Sequence, residues 1–158
     1  MDEAMRSSNT LQKGFTLIEL LIVIAILGIL GVAVLVGINP VDKIRSANDA
    51  KVINDIGTIA GATESYAATH DGIYPSSIKD LVDSGELKTE PIPPAGYNSP
   101  TNKYNFIQII DPCDTNCSGA IVWMSLKSQK YKAAPKHVWD SQTGKTCDLA
   151  DNVPIACP

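Results

Sequence analysis

Residues Lys13–Ile38 read KGFTLIELLIVIAILGILGVAVLVGI, an apolar run broken by one carboxylate, Glu19, near its start. The nineteen uncharged residues from Leu20 to Ile38 reach about 28 Å as a helix, the thickness of a bilayer's hydrocarbon core. A carboxylate inside such a span costs roughly 2.5–3.5 kcal/mol at the helix centre and less toward the interface. Glu19 therefore asks for a partner. The run is too long for the short apolar region of a secretory signal, and no A-x-A follows it as a cleavage site. It is expected to stay with the protein as a single span.

The chain has 158 residues, enough for one modest domain beside the span. Its formal net charge of −4 argues against a cationic nucleic-acid binder. All four cysteines, Cys113, Cys117, Cys147 and Cys157, lie in the last third. An even count in a small polar domain favours two disulfides over a zinc site, for which Cys147 and Cys157 supply no matching half. Three pairings exist; Cys113–Cys117 with Cys147–Cys157 closes two short local loops and is preferred. Paired cysteines place the C-terminal domain outside the cell membrane and the N-terminus in the cytoplasm, an orientation that Lys and Arg counts around the span do not settle.

The segment Lys13-Gly14-Phe15-Thr16-Leu17-Ile18-Glu19-Leu20, followed at once by the apolar helix, resembles the type IV pilin and type II secretion pseudopilin family. The resemblance implies that residues 1–14 are a leader removed by a membrane prepilin peptidase. Cleavage would fall between Gly14 and Phe15, and Phe15 would become the N-methylated first residue. Glu19 then occupies the position of the family's assembly glutamate. Asp2 and Glu3 offset Arg6 and Lys13, whereas family leaders are usually net basic. Charge pairing points the same way. Cleavage frees an α-amino group at Phe15, mostly protonated near neutral pH. A helix start does not readily neutralise its own acid one turn on, but a staggered neighbour's amino terminus can. Each charge then offsets the other's desolvation, and a subunit in the wrong register leaves both unpaired. Glu19 is read as a register device.

Gly28, Gly31, Ala33 and Gly37 offer small surfaces for close helix contact. Gly37-Ile38-Asn39-Pro40 is the expected weak point, because proline removes a backbone donor; many pilins instead carry a helix-disrupting proline at a position equivalent to Val36. Beyond Pro40, Ile44, Ala47, Ile53, Ile56, Ala60, Thr63 and Ala67 recur at helical spacing, with Ile59 and Tyr66 beside them. Asp42, Arg45, Asp49 and Asp55 lie largely off that stripe and are expected to face solvent or neighbouring subunits. Gly72 suits the left-handed position that ends the helix near His70, with Ile73 making the apolar contact after it. The expected divisions are residues 1–14 as leader, 15–39 as membrane and assembly helix, 40–72 as its amphipathic second half, and 73–158 as a globular head. If continuous, the mature helix spans on the order of 80 Å. Ser76–Val82 reads as a short capped helix and residues 90–102 as a proline-rich connection. Strands are expected at 103–110, 119–126, 136–141 and 145–149. The fold class is α+β: a long N-terminal helix packed on a small antiparallel sheet.

No phosphate loop, dinucleotide fingerprint or H-E-x-x-H occurs, and no acid, base and nucleophile constellation emerges. An enzyme is not expected, nor a resident cofactor or metal. The resemblance leaves calcium as an alternative, since major pseudopilins often bind it in a C-terminal loop. Asp111, Asp114 and Asn116 offer oxygens, though their spacing fits no standard calcium loop. His70 reads as a helix-dipole partner. Lys127, Lys130, Lys132, Lys136 and His137, with Tyr131, form the one basic cluster, read as a sheet edge or loop rather than a DNA contact. The resulting expectation is a structural subunit of a pilus-like filament. It would be a homo-oligomer, handled by the prepilin peptidase and an inner-membrane assembly platform, and resident in the membrane before assembly. The alternatives are a secretion piston (pseudopilin) and a DNA-binding competence pilus subunit.

Overall fold

The computed structural model describes residues 14–97, 101–110 and 118–158. Its elements are α1 (Leu17–Ile38), α2 (Pro40–Thr69), α3 (Ile78–Asp83), β1 (Asn105–Ile110), β2 (Ser118–Ser125), β3 (Lys136–Asp140) and β4 (Lys145–Leu149), with a 3-10 turn at Gln129–Tyr131. Residues 1–40 form one compact unit and residues 41–158 a second.

In the first unit, α1 is apolar all round and has no buried residue. At about 1.5 Å per residue its length matches a bilayer crossing, and among the described residues it is the one helix long and apolar enough for that. It stops at Asn39, whose φ of 46° and ψ of 69° are left-handed. The following proline is the cause: Pro40 disfavours the α conformation in the residue before it, and asparagine tolerates the left-handed region better than most. The expected weak point is therefore a defined helix end, with Pro40 opening α2 where its missing N–H costs nothing.

The second unit is built on α2. Its buried positions are Asp49, Val52, Ile56, Ile59, Ala60, Ala62, Thr63 and Ala67. The stripe thus begins at Asp49, not at Ile44 as the apolar pattern suggested; Ile44 is 63% exposed and Ala47 is exposed too. At its other end α2 closes through a hydrogen bond from Gly72 N to Ala67 O at 2.9 Å. Two residues are left-handed there, Asp71 (φ 53°) as well as Gly72 (φ 80°). The left-handed position following the helix is filled by Asp71, and Ile73 stays 44% exposed instead of packing back. α3 is preceded by its N-cap Ser77, where the Asp80 carboxylate accepts from the backbone N–H groups of Ser76 (2.9 Å) and Ser77 (3.0 Å). The Ser76 hydroxyl above all, with the Ser77 side chain and these backbone bonds, holds the Asp80 carboxyl below the usual carboxylate range against desolvation.

The four strands form an antiparallel meander in the order β1-β2-β3-β4. Register pairs Phe106 with Val122, Val122 with Trp139, and Val138 with Cys147. β1 starts two residues later than the pattern suggested, because Tyr104 turns into the core and donates its hydroxyl to Asp55 at 2.5 Å. Side-chain alternation splits the sheet into two faces. Ala120, Val122, Met124 and Trp139 join Val52, Ile56 and Ile59 of α2 and Leu81 of α3 in the main core. Ile121, Val138 and Leu149 face the other way, into a smaller cluster with Cys157. Cys147 and Cys157 are bonded, with a Cα–Cα distance of 5.8 Å, as preferred from spacing. Closing so short a loop is worth about 3 kcal/mol on the chain-entropy account. Cys113 and Cys117 lie outside the described residues.

The expectation that Asp49 faces solvent is wrong. Its side chain is fully buried and accepts three hydrogen bonds from distant segments: Tyr97 Oη at 2.5 Å, Lys127 N at 2.8 Å and Ser128 N at 2.8 Å. One helical turn pair earlier, Asp42 accepts from Gln129 N at 2.8 Å. Two acids on one side of α2 thus receive three successive backbone amides of the segment that follows β2. Asp55 likewise accepts from Lys51 Nζ at 2.5 Å and from Tyr104. Burial alone would push the Asp49 carboxyl up; the Tyr97 hydroxyl and the two backbone amides that it accepts from outweigh that, so the carboxyl titrates below the usual range. Burial and the adjacent carboxylates raise both Tyr97 and Tyr104 well above an ordinary phenol.

Asp49→Ala strands a phenol and two amides without a partner and should cost about 3 kcal/mol or more, roughly 10 °C in Tm, read by thermal melting in detergent. A carboxyl depressed in the folded state contributes fully above its unfolded pKa of about 4; that contribution is lost as pH falls through the folded value. Acid unfolding of Asp49→Asn should accordingly lack this component of the wild-type curve.

Candidate processing and assembly site

Gly14, Phe15 and Thr16 precede the first helical residue. Thr16 is extended, with φ −80° and ψ 150°, and Phe15 is 83% exposed. The peptide bond between Gly14 and Phe15 therefore lies outside the helix. Directly after it α1 is closed by a capping box. Glu19 N donates to Thr16 Oγ1 at 3.3 Å. In return Glu19 Oε2 accepts from Thr16 N at 3.1 Å and from Thr16 Oγ1 at 3.0 Å. The arrangement satisfies donors that a helix start otherwise leaves bare, and it sets a carboxylate where the helix dipole favours negative charge.

Thr16 thus gives Glu19 a partner within its own chain, which the sequence expectation did not include. The signal was present: Thr16-Leu17-Ile18-Glu19 fits the S/T-x-x-E pattern ahead of an apolar run. Both intramolecular bonds fall on one oxygen, Oε2. Among the described residues Glu19 Oε1 accepts none, so it stays open to a donor from elsewhere.

The remaining candidates are dispersed. Lys127 Nζ lies 5.0 Å from the Tyr97 ring centroid and also donates to the Gly96 carbonyl. Lys130 sits 4.8 Å from the Tyr131 ring, and Lys136 5.9 Å from the Trp123 ring. His137 is buried, with Nδ1 2.6 Å from Asp148 Oδ1. Three of the basic residues thus rest on this chain's own aromatic faces, and the histidine is committed to β4. His70 stacks on Tyr66, ring centroids 3.8 Å apart, with Nδ1 2.9 Å from the Tyr66 carbonyl oxygen in the last turn of α2. Asp111, Asp114 and Asn116, the calcium candidates, lie outside the described residues.

Thr16→Val should remove the cap at a cost of about 1 kcal/mol. Hydrogen exchange of the full chain in micelles should then quicken at Ile18–Leu20 and stay unchanged in α2, while Thr16→Ser keeps the wild-type rate.

Residues 9–35 match the model of the prokaryotic N-terminal methylation motif. Over 84 residues the chain is 39% identical to the type IV major pilin protein PilE of Neisseria gonorrhoeae, covering 53% of this chain and 47% of that protein. Over 91 residues it is 36% identical to the type II secretion system core protein G of Pectobacterium carotovorum subsp. carotovorum, covering 54% of this chain and 56% of that one. The chain thus spans about half the length of these curated relatives, and no solved structure matches it. With that motif running through the helix cap and most of α1, and with an α+β head beyond, the chain is similar over about half its length to a type IV major pilin and to a type II secretion system core protein.

Proposed function

We propose that this chain is a structural subunit of a type IV pilus-like filament. It enters the membrane through α1, is cut between Gly14 and Phe15, is methylated at Phe15 and assembles with copies of itself through its apolar helix. The observation that carries this reading is the junction at residues 14–19: an exposed, non-helical glycine–phenylalanine bond ahead of a capped helix that buries none of its apolar side chains within its own chain. Such a helix needs lipid first and neighbouring subunits afterwards. Glu19 supports the same sequence of events. Its Oε2 holds the helix start, and Oε1 is left to receive the Phe15 ammonium of a staggered neighbour. The pair would be charge-assisted and, in an apolar surround, would penalise every other register.

The prepilin peptidase and an inner-membrane assembly platform are the partners this pathway requires, with the C-terminal unit outside the cytoplasmic membrane. The second reading, a pseudopilin acting as a secretion piston, has the similarity to core protein G in its favour. Both relatives are structural components rather than enzymes, and no resident cofactor is proposed. DNA binding through the lysines after β2 gains no support, because Lys127, Lys130 and Lys136 are already seated on aromatic rings.

Mass spectrometry of the mature protein should find a chain beginning with N-methyl-Phe15; an intact leader in wild-type cells would remove the processing claim. Glu19→Ala should remain membrane-inserted and cleaved yet yield few or no filaments. Wild-type amounts of sheared fibre from that variant would refute the pairing argument.

A further inference from the structure

The smaller cluster on the outer face of the sheet is closed by the chain's own C-terminus. Val138 is fully buried, Ile121 7% exposed and Leu149 8% exposed, and Cys157 and Ile155 are what lies over them from residues 150–158. That strap forms no strand. Its backbone hydrogen bonds are internal, Val153 N to Ala150 O and Ala156 N to Pro154 O. Two polar contacts tie it to β3: Cys157 N to Asp140 Oδ2 at a long 3.3 Å, and the exposed Lys136 Nζ to Asp151 O at 2.7 Å. Val153 is 41% exposed and adds little. Ordering nine residues is opposed by their conformational entropy, and the apolar side of the account is one half-buried isoleucine and a cysteine. The covalent link from Cys157 to Cys147 of β4 is the remaining tie.

We infer that residues 150–158 are a redox-operated cover: the Cys147–Cys157 bond holds the strap over Ile121, Val138 and Leu149, and reduction releases it and bares that apolar face while the main core stays folded. The two faces belong to separate clusters, so opening one leaves the packing of α2 on the sheet intact. The step balances with a small dithiol as reductant. Its thiolate attacks Sγ of Cys147, the less buried of the two cysteines, and Cys157 leaves as a thiolate. The second thiol of the reductant then closes on the mixed disulfide and releases Cys147. Two electrons pass to the protein sulfurs, both thiolates take up protons, and the reductant departs as its cyclic disulfide. Oxidation is thereby the step that completes the head's surface. A head that has not met an oxidant carries an open apolar patch; an oxidised head does not. Asp140, 2% exposed beneath the strap, is uncovered in the same movement. Its other bond, from Gln142 N at 2.9 Å, belongs to the β3–β4 turn and survives.

The test uses the full chain in detergent micelles with Cys113→Ser and Cys117→Ser, so that a dithiol acts on Cys147–Cys157 alone. Carbene footprinting should rise several-fold at Ile121, Val138 and Leu149 on reduction. Amide exchange should accelerate across residues 150–158, while Val122 and Ile59 of the main core keep their oxidised labelling, and air oxidation should restore the starting pattern. Unchanged labelling of the outer face in the reduced protein would overturn the inference, since packing alone would then hold the strap. An equal rise at Val122 and Ile59 would overturn it as well, because the head would be unfolding rather than opening. Ile155→Asp, which weakens packing but keeps the bond, should leave the oxidised footprint closed; an open footprint there would show that the disulfide is not the tie.

Discussion

A helix of 22 residues with no buried side chain is the constraint to which the rest of the chain answers. Water is a poor solvent for that much apolar surface, so α1 calls for an apolar cover. Lipid and the helices of other subunits are the two environments that can supply it, and each forbids unpaired charge. The one carboxylate in the helix sits in its first turn, where the cap and the dipole tolerate it. The left-handed Asn39 and Pro40 then end the apolar segment before the polar one begins.

The buried positions of the second unit begin at Asp49. Its core is modest, one helix and a four-stranded sheet with α3 alongside. Two devices extend it. Asp42 and Asp49 gather the segment after β2 onto the start of α2 through backbone amides, adding polar ties to the apolar anchors Leu126 and Tyr131. The C-terminal strap covers the sheet face that α2 does not reach, and a disulfide replaces the packing it lacks. Small domains commonly rely on such ties where apolar area is short.

Much of this was legible in the sequence, and the exceptions share a cause. Strand positions followed from runs of Tyr, Phe, Ile and Val between turn residues, and the helix break from Asn39-Pro40, because those signals are local. Cys147 and Cys157 were paired correctly on spacing. That their bond covers a sheet face depended on register, which sets Cys147 on the side of Val138. Asp49 was misplaced because an acid on a helix is ordinarily a surface residue. Its burial is offset by donors 48, 78 and 79 positions away, and nothing near Asp49 in the chain announces them. Ile44 erred in the opposite sense: its spacing matched the stripe, but the head's core does not extend that far along α2.

Glu19 joins the local and the intermolecular sides of the problem. A carboxylate wholly absorbed in its own cap would be a weak partner for another subunit, and one wholly free would be costly in the membrane. The geometry at Thr16 is intermediate: Oε2 is engaged twice, by an amide and a hydroxyl, and Oε1 is left over. The cap fixes the carboxylate's position and orientation before a partner arrives, so less side-chain entropy is lost when an ammonium binds. Capping and pairing are then successive uses of two oxygens of one group. A capped Glu19 would enter the proposed filament already aimed, and register would be selected by whether the incoming amino terminus reaches Oε1.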